Sequence, residues 1–545
     1  MQILTSIPRR IGFGAPLFVV AVLLVLSSAV FFWKLGVKPL ENWDEGIHAE
    51  VTREVLANQA WLSLSYRDDY YTAKPPLKFW LTAPLFAASG PTEFNARFWS
   101  AVAGVLTTIL IGWWAFQWNR SVRFALLTGG IFLFGRFVMY HAFRTGETDG
   151  LLVLFVTAAM YAYWKLQDDQ RWLIVFGAMT GLAIMTKSVG GFIPLMVAAV
   201  DLTLSRGWRT INRRTWLMSI GAAAIIALPW HLLELLRHGR EFIDGYIGFN
   251  VVQRSGDVLY ANDVPWWWYA DIIVKRMIPF GSFLPLALVL AARRMRRGRD
   301  VLDRIMLIWA VVVFVIFSLV QTKFDWYVLP LYVPLAFLLA RAFSEFLHQD
   351  RDRFLIITAG LSFAVFVFRM PLEFVAQGWL WRLTPYAYLP SGMAGNVLGR
   401  GLVALVTTAG VGLLIWTLRK RLVIASTRAV GMIVVVYLCV LAAGWQFSYL
   451  RHLPVSAPLK TIAEKVEALD ARSIDVVGIN LATQPAGNFY LRRIADLEVR
   501  EIKADQPRQS ELVLTTVENR PNDAKNAILE VGPYVLYSAD SQGPL

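Results

Sequence analysis

Apolar runs long enough to cross a bilayer recur along the whole chain, and they limit its fold to a membrane bundle. A spanning helix needs roughly 20 apolar residues. About thirteen such runs are present, near 11–32, 96–118, 122–142, 149–166, 172–186, 189–205, 215–233, 277–292, 304–321, 327–346, 354–370, 398–418 and 429–447. Composition agrees. Of 545 residues, 56% are hydrophobic and 17% charged, against about 45–50% and about 25% in soluble domains. A single soluble core, a disordered chain, a collagen-like chain and a disulfide scaffold are all excluded. The lone cysteine, Cys439, sits in an apolar run and has no partner for an intrachain bridge.

The net charge is +14. In a soluble chain that balance points to nucleic acid, but here the arginines fall in short blocks between apolar runs, so no nucleic acid partner is expected. With the N-terminus in the cytoplasm, every second loop is short and basic. These loops carry Arg120 and Arg123; Lys165 and Arg171; Arg206, Arg209, Arg213 and Arg214; Arg293, Arg294, Arg296, Arg297 and Arg299; Arg351 and Arg353; and Arg419, Lys420, Arg421 and Arg428. That is the positive-inside pattern. The first run follows Arg9 and Arg10 and ends at no A-x-A site, so it reads as a retained anchor.

Loops 33–95, 234–276 and 371–397 then face outward. From about 450 the composition changes: a helical stretch at 457–469 alternates with the β-rich segments IDVVGIN, LEVREI and AILEVGPYVLYS. The expected organisation is a transmembrane domain over 1–449 and a small soluble α/β domain over 450–545, outside the membrane. That tail shows no catalytic cluster and is expected to cover the outer face and help admit an acceptor. No internal repeat is evident, which weakens an inverted-repeat transporter.

Ionisable groups beside apolar spans are costly and usually functional. Asp44 and Glu45 follow the first span, before a stretch with helical spacing at Ile47, Val51, Val55, Leu56 and Trp61. Two adjacent carboxylates there suit cation binding, base chemistry or positioning of an amine; an acidic first helical turn is the plain alternative. In Tyr70-Tyr71-Thr72-Ala73-Lys74-Pro75-Pro76 the proline pair fixes an extended segment. Lys74 offers three donors to an anion there, or snorkels to the interface. The turn from His141 to Gly150 holds Arg144, Glu147 and Asp149, with Arg136 deeper in the third run; Asp149 fits chemistry or helix capping. Lys187, Arg254, Lys275, Arg276 and the segment Gln321-Thr322-Lys323-Phe324-Asp325-Trp326-Tyr327 add cations and aromatics suited to a lipid phosphate. Pro265 to Tyr269 is aromatic-belt material at the start of an interfacial helix. His48, His141 and His231 lack metal-ligand spacing and read as structural, so no metal is assigned, though a divalent ion is compatible with the carboxylates. No Walker loop, dinucleotide fingerprint or nucleophile elbow appears.

The acidic pair after the first span, the outer K-P-P segment, the second acidic turn and the K-x-x-x-Y-x-L-P segment at Lys323 to Pro330 resemble the GT-C class of integral-membrane glycosyltransferases. The likeness is to the protein-mannosyltransferase-like branch that contains the lipid A aminoarabinose transferase; Asn250 to Arg254 and Pro265 to Tyr269 are similar to a segment of that transferase. It implies a polytopic helical fold of about 13 spans and an inverting transfer of a sugar, 4-amino-4-deoxy-L-arabinose in that transferase. The implied donor is undecaprenyl phosphate and the implied acceptor a lipid A phosphate, at the periplasmic face of the bacterial inner membrane, by a monomer. Such a transfer modifies lipopolysaccharide and implies resistance to cationic peptides. By matching motif it also implies catalytic roles for Asp44, Glu45, Glu147 and Asp149, and substrate contacts from Tyr71, Lys74, Arg144, Arg254, Lys323 and Tyr327. Which of Glu147 and Asp149 is the key acid stays open.

A hydroxyl acceptor needs a general base, whereas a lipid A phosphate is already anionic and needs only orientation. Several carboxylates suit an amino sugar better than an acidic one. The alternatives are a sister transferase with another sugar or a protein hydroxyl acceptor, and a lipid-linked-sugar transporter. A transporter places its charges near the midplane in broken helices; here the acids cluster at outer ends.

Overall fold

The computed structural model describes residues 14–135, 138, 142–259, 264–277, 280–296, 300–348, 456–503, 506–520 and 527–538. The expected spans at 354–370, 398–418 and 429–447, loop 371–397, Arg136, His141 and Cys439 lie outside the described residues.

The first run forms α1 (Gly14–Phe32). The outer loop that follows is built from α2 (Asp44–Ala57), the short hairpin β1 (Ser65–Tyr66) and β2 (Asp69–Tyr70), and α3 (Leu77–Ser89). The bundle continues with α4 (Glu93–Asn119), α5 (Val122–Leu133), α6 (Asp149–Lys165), α7 (Trp172–Lys187), α8 (Ile193–Ser205) and α9 (Arg213–His238). A π-helical stretch, Ile243–Gln253, leads to Arg254. Then come α10 (Trp268–Arg276), α11 (Leu284–Arg296), α12 (Val301–Leu319), a 3-10 turn at Asp325–Leu331 and α13 (Tyr332–His348). Side-chain caps start several helices: Thr92 accepts from Asn95 N at α4 and Ser121 from Phe124 N at α5.

Six helical segments among the described residues are long and apolar enough to cross a membrane: Gly14–Phe32, Glu93–Asn119, Trp172–Ser205, Arg213–His238, Val301–Leu319 and Asp325–Glu345. The expected runs at 172–186 and 189–205 form α7 and α8, joined through the 3-10 turn Ser188–Phe192. The core runs through the bundle and includes Trp114, Phe132, Phe143, Trp309 and Tyr332. Ion pairs close the end away from Asp44: Arg304 binds Asp201, which also accepts from the Tyr163 hydroxyl at 2.8 Å.

Residues 456–538 form an α/β unit with α14 (Ala457–Ala468), β3 (Ser473–Val477), α15 (Pro485–Arg492), β4 (Glu498–Ile502), β5 (Leu512–Thr516), β6 (Ala527–Val531) and β7 (Tyr534–Ser538). Its five strands run in the order β4-β3-β5-β7-β6. β3 is parallel to β4 and β5, and β7 is antiparallel to β5 and β6. The hairpin β6–β7 turns at Gly532, whose φ of +58° suits glycine. β5 and α15 have no counterpart among the segments read from sequence.

This unit is docked on the turn that carries the acidic pair. Tyr490 OH accepts from Leu40 N at 2.6 Å and donates to Glu93 at 3.1 Å. Ser456 Oγ donates to Leu40 O, Asn42 bonds Gln484 and Ala486 N, and Lys460 pairs with Glu93 at 2.6 Å. The backbones come so close that a Cβ on Gly46 would lie 2.5 Å from Ala486 N. Gly46→Ala should therefore push α15 away, at a cost of about 1–3 kcal/mol for overpacking. Limited proteolysis should then cut ahead of residue 456 more readily and the melting temperature should fall; an unchanged pattern would mean the docking tolerates the methyl.

Candidate active site

α2 begins with two carboxylates that point to different places. Glu45 is fully buried. Arg97 Nε donates to Oε1 at 2.7 Å and Nη2 to Oε2 at 2.8 Å. Glu41 N and Gly146 N donate to the same carboxylate at 2.7 and 2.6 Å. Burial pushes the Glu45 carboxyl up, but Arg97 and these bonds hold it below its ordinary value. Glu45, expected as a catalytic residue, is thus committed to a buried clamp.

Asp44 turns the other way and keeps a quarter of its side chain exposed. Lys74 Nζ lies 3.6 Å from its Oδ2. Burial raises its pKa, but the charges of Lys74, Lys187 and Arg254 outweigh that and hold the carboxyl well below the usual carboxylate range. Lys74 is buried; desolvation lowers its pKa and Asp44 opposes the shift. Its position follows from the proline pair at the start of α3: Pro76 caps that helix already in the helical region, at φ −82° and ψ −11°, so the segment expected to be extended turns directly into the helix.

Asp149 is the first residue of α6, where the helix N-terminus favours a carboxylate. Lys187, last in α7, donates to it at 2.7 Å. The Lys187 ammonium also sits 5.6 Å from the centre of the Tyr327 ring. Tyr327 bonds Arg254. The strand-like pairing of Gln321 N with Ser255 O and Thr322 N with Arg254 O, both 3.1 Å, holds the two segments together. Lys323 is buried next to that pairing. Tyr71 packs edge-on against Phe79 at 6.0 Å, and burial together with Asp44 raises its phenol far above its ordinary value, so it stays a donor.

Asp44, Tyr71, Lys74, Asp149, Lys187, Arg254 and Tyr327 thus converge from six segments. Among the cations named from sequence, Lys275 and Arg276 are instead paired with Asp271 and Asp325. Arg144, expected to bind substrate, is buried and donates to Val30 O, Phe31 O and Trp33 O at the C-terminal end of α1. Glu147 is buried, and its backbone carbonyl accepts from Ser100. Among the described residues no group of His, Cys, Asp or Glu side chains forms a set that could hold a metal ion.

Three carboxylates in this region have a cation each: Glu45 has Arg97, Asp149 has Lys187 and Asp44 has Lys74. The negative field expected to favour an amino sugar is thereby offset at these three carboxylates. Arg254, a fourth cation here, bonds Tyr327 and adds positive charge that suits an anion such as a phosphate. Sequence reading missed Arg97. The signal was there, since it is an arginine inside the run 96–118, where an unpaired charge is expensive.

Residues 21–238 match the family model described as Dolichyl-phosphate-mannose-protein mannosyltransferase. The chain is 28% identical to an undecaprenyl phosphate-alpha-4-amino-4-deoxy-L-arabinose arabinosyl transferase of Erwinia tasmaniensis, over 59% of this chain and 58% of that protein. A protein of the same name from Pectobacterium carotovorum is 28% identical over 71% of this chain and 69% of its own length. The chain thus matches under two thirds of the first relative's length. Among solved structures, ArnT from Cupriavidus metallidurans bound to undecaprenyl phosphate superposes with a TM-score of 0.70 at 20% identity, covering 96% of this chain and 99% of that one. The resemblance to the protein-mannosyltransferase-like branch is thereby shown, and the fold is the helical membrane fold of the GT-C class.

The two carboxylates of α2 predict opposite phenotypes. Breaking a buried pair leaves an uncompensated charge and costs about 3–5 kcal/mol, so Arg97→Ala should not give monodisperse protein. Asp44→Asn should purify and melt like the parent. Size-exclusion profiles and melting curves check both; a well-behaved Arg97→Ala protein would remove the clamp from the account.

Proposed function

We infer that this chain is an inverting, multi-pass membrane glycosyltransferase that moves 4-amino-4-deoxy-L-arabinose from undecaprenyl phosphate to a lipid A phosphate. In this reading it works at the periplasmic face of the bacterial inner membrane, as a monomer. It has thirteen spans over 1–449 and a periplasmic α/β domain over 450–545, with a cytoplasmic N-terminus. The observation that carries the reading is the convergence of Lys74, Lys187 and Arg254 on Asp44 at one end of the bundle. The names of the relatives support the donor and the sugar.

The leaving group is the donor phosphate, which gains negative charge as the glycosidic bond breaks. Lys74, Arg254 and the Tyr327 phenol are assigned to that charge; preorganised donors in a dry site stabilise it without reorganisation. Lys187 sits between this group and Asp149 and ties the phosphate side to the second acid. Asp149, not Glu147, is therefore the key acid of that turn. Asp44 is a weak base, because its conjugate acid is strong. That suits an acceptor that arrives already anionic, and leaves Asp44 to orient it and to face the positive charge on the anomeric carbon. Glu45 and Arg144 hold the site's walls. A neutral sugar on the same carrier is a second reading, favoured by the internal pairing of the carboxylates. Mass spectrometry of lipid A from cells with and without the protein separates the two.

Purified protein turning over undecaprenyl-phosphate-linked sugar in detergent tests the activity. Lys74→Ala and Arg254→Ala each remove a charge-assisted bond worth about 1.5–3 kcal/mol, so kcat/KM should fall roughly tenfold to a hundredfold. Unchanged kinetics and unchanged undecaprenyl phosphate binding in both would count against a shared phosphate site. The depressed Asp44 carboxyl also sets a pH expectation. Asp44 stays ionised down through the ordinary aspartate range, so the rate should show no acid limb from it above about pH 4. Asp44→Asn should lose most transfer at every pH while keeping donor binding.

A further inference from the structure

We propose that Lys78 is a positioning residue: with His48 it forms a buried donor–acceptor pair bridged by one water that locks α2 onto the turn carrying Asp149. Both residues are sealed from solvent, His48 at 0% and Lys78 at 1% exposure. Among the described residues Lys78 Nζ has no hydrogen-bond partner, and neither has His48 Nε2. The two vacancies are complementary. His48 Nδ1 lies 3.2 Å from the carbonyl oxygen of Gly146. A carbonyl only accepts, so Nδ1 carries the proton and Nε2 presents a lone pair. An ammonium only donates. Phe79, the neighbour of Lys78, packs edge-on against the His48 ring at 5.5 Å, which brings the start of α3 beside it. The Lys78 charge acts on His48, and Glu45 and Glu147 act on Lys78.

The consequence lies at Gly146. Its N–H is held by Glu45 at 2.6 Å and its carbonyl by His48 at 3.2 Å, so two residues of α2 grip the two peptide units that flank the Gly146 Cα. Three residues further on is Asp149. The grip sets where Asp149 stands relative to Asp44, which is four residues before His48 on the same face of α2. Lys78 closes this arrangement from behind by meeting the other side of the His48 ring and by balancing Glu147. The groups facing the pair are Asp44, Glu45 and Lys74 from the site side and Glu147 from the turn. Burial pulls Lys78 down to about 8, against the opposing charges of Glu45 and Glu147. Burial, with Lys78 and Lys74, holds His48 at about 3, so its ring stays neutral. Raising the pH through about 8 thus strips the charge from Lys78 and leaves Glu147 less compensated.

The test uses the full chain in detergent with 15N-labelled histidine. The chain has six histidines, and His48→Gln identifies the resonance. His48 is expected neutral with the proton on Nδ1. Its Nε2 signal should carry a hydrogen-bonded shift that moves as pH rises from about 7 to about 9, and Lys78→Met should move it to the unbonded position. An Nε2–H tautomer, or a signal indifferent to both pH and Lys78→Met, overturns the pair. These readouts need no turnover, so they stand apart from the proposed transfer, on which the positioning role itself rests. For that role, Lys78→Met should lower kcat about tenfold with donor KM unchanged. Lys78→Arg should restore kcat and remove the alkaline limb of the rate. Parental kcat and an unaltered pH profile in Lys78→Met would overturn the positioning role.

Discussion

The bond between Glu45 and Arg97 holds the outer end of the molecule in one arrangement. Arg97 spends all five of its N–H groups: two on Glu45, and the rest on the carbonyls of Leu35, Lys38 and Pro39 at 2.7–2.9 Å. Those carbonyls belong to the chain that leaves α1, so one guanidinium fixes how the first span hands over to α2. Glu45 in turn receives Gly146 N and Glu41 N. Three segments far apart in sequence therefore meet at one buried ion pair. Such a pair adds little net stability over an apolar packing, but it admits few alternatives, because every donor and acceptor must be met at once. Arg144 repeats the device by capping α1 itself. The consequence is that Asp44, one residue before Glu45, is aimed by a neighbour that is itself bound on both carboxylate oxygens.

The tail shares in this arrangement. Leu40 and Asn42, within the stretch that Arg97 fixes, are also the residues that Tyr490, Ser456 and Ala486 bind. The approach of Ala486 to Gly46 lies directly after the acidic pair. A unit expected to be a cover over the site is thus a second support of the turn that carries Asp44. Its apolar contacts continue inward through Phe489 against Phe86 at 6.3 Å between ring centres. Separating the two would expose that surface and release one side of the turn, so docking of the tail and the placement of Asp44 are coupled.

Much of this was legible in the sequence, for definable reasons. Charges beside apolar runs stand out because the membrane penalises them, so Asp44, Lys74, Asp149, Lys187 and Arg254 could be named from their places along the sequence. Pro75 and Pro76 marked the break before α3, but Pro76 caps the helix in the helical region and does not extend the chain as expected. Partnership was not legible. Nothing in the spacing says that Glu45 meets Arg97 across 52 residues, or that Arg144 reaches back 111 residues to Trp33. Two carboxylates side by side look equivalent on paper, yet adjacent positions at the start of a helix point about 100° apart, and one faces the protein while the other faces the site. His48 was read as structural, and its ring does make a structural bond to Gly146; the vacancy on its other nitrogen needs the fold to be seen.

The pairing of the site's charges also bears on the order of events in the proposed reaction. Without a donor, Asp44 is turned toward Lys74 and deeply acidic, while Lys187 is held by Asp149 and Arg254 by Tyr327. An acceptor phosphate arriving first meets Asp44 as a like charge and finds the cations engaged. A donor phosphate takes up Lys74 and Arg254, so their pull on Asp44 weakens and its oxygens become free to face the anomeric carbon and the acceptor. Electrostatics alone then favours donor before acceptor. It also means that the carboxylate is at its most acidic in the donor-free site and gains basicity only once the donor phosphate has engaged the cations, so Asp44 is released toward the anomeric carbon in the loaded site alone.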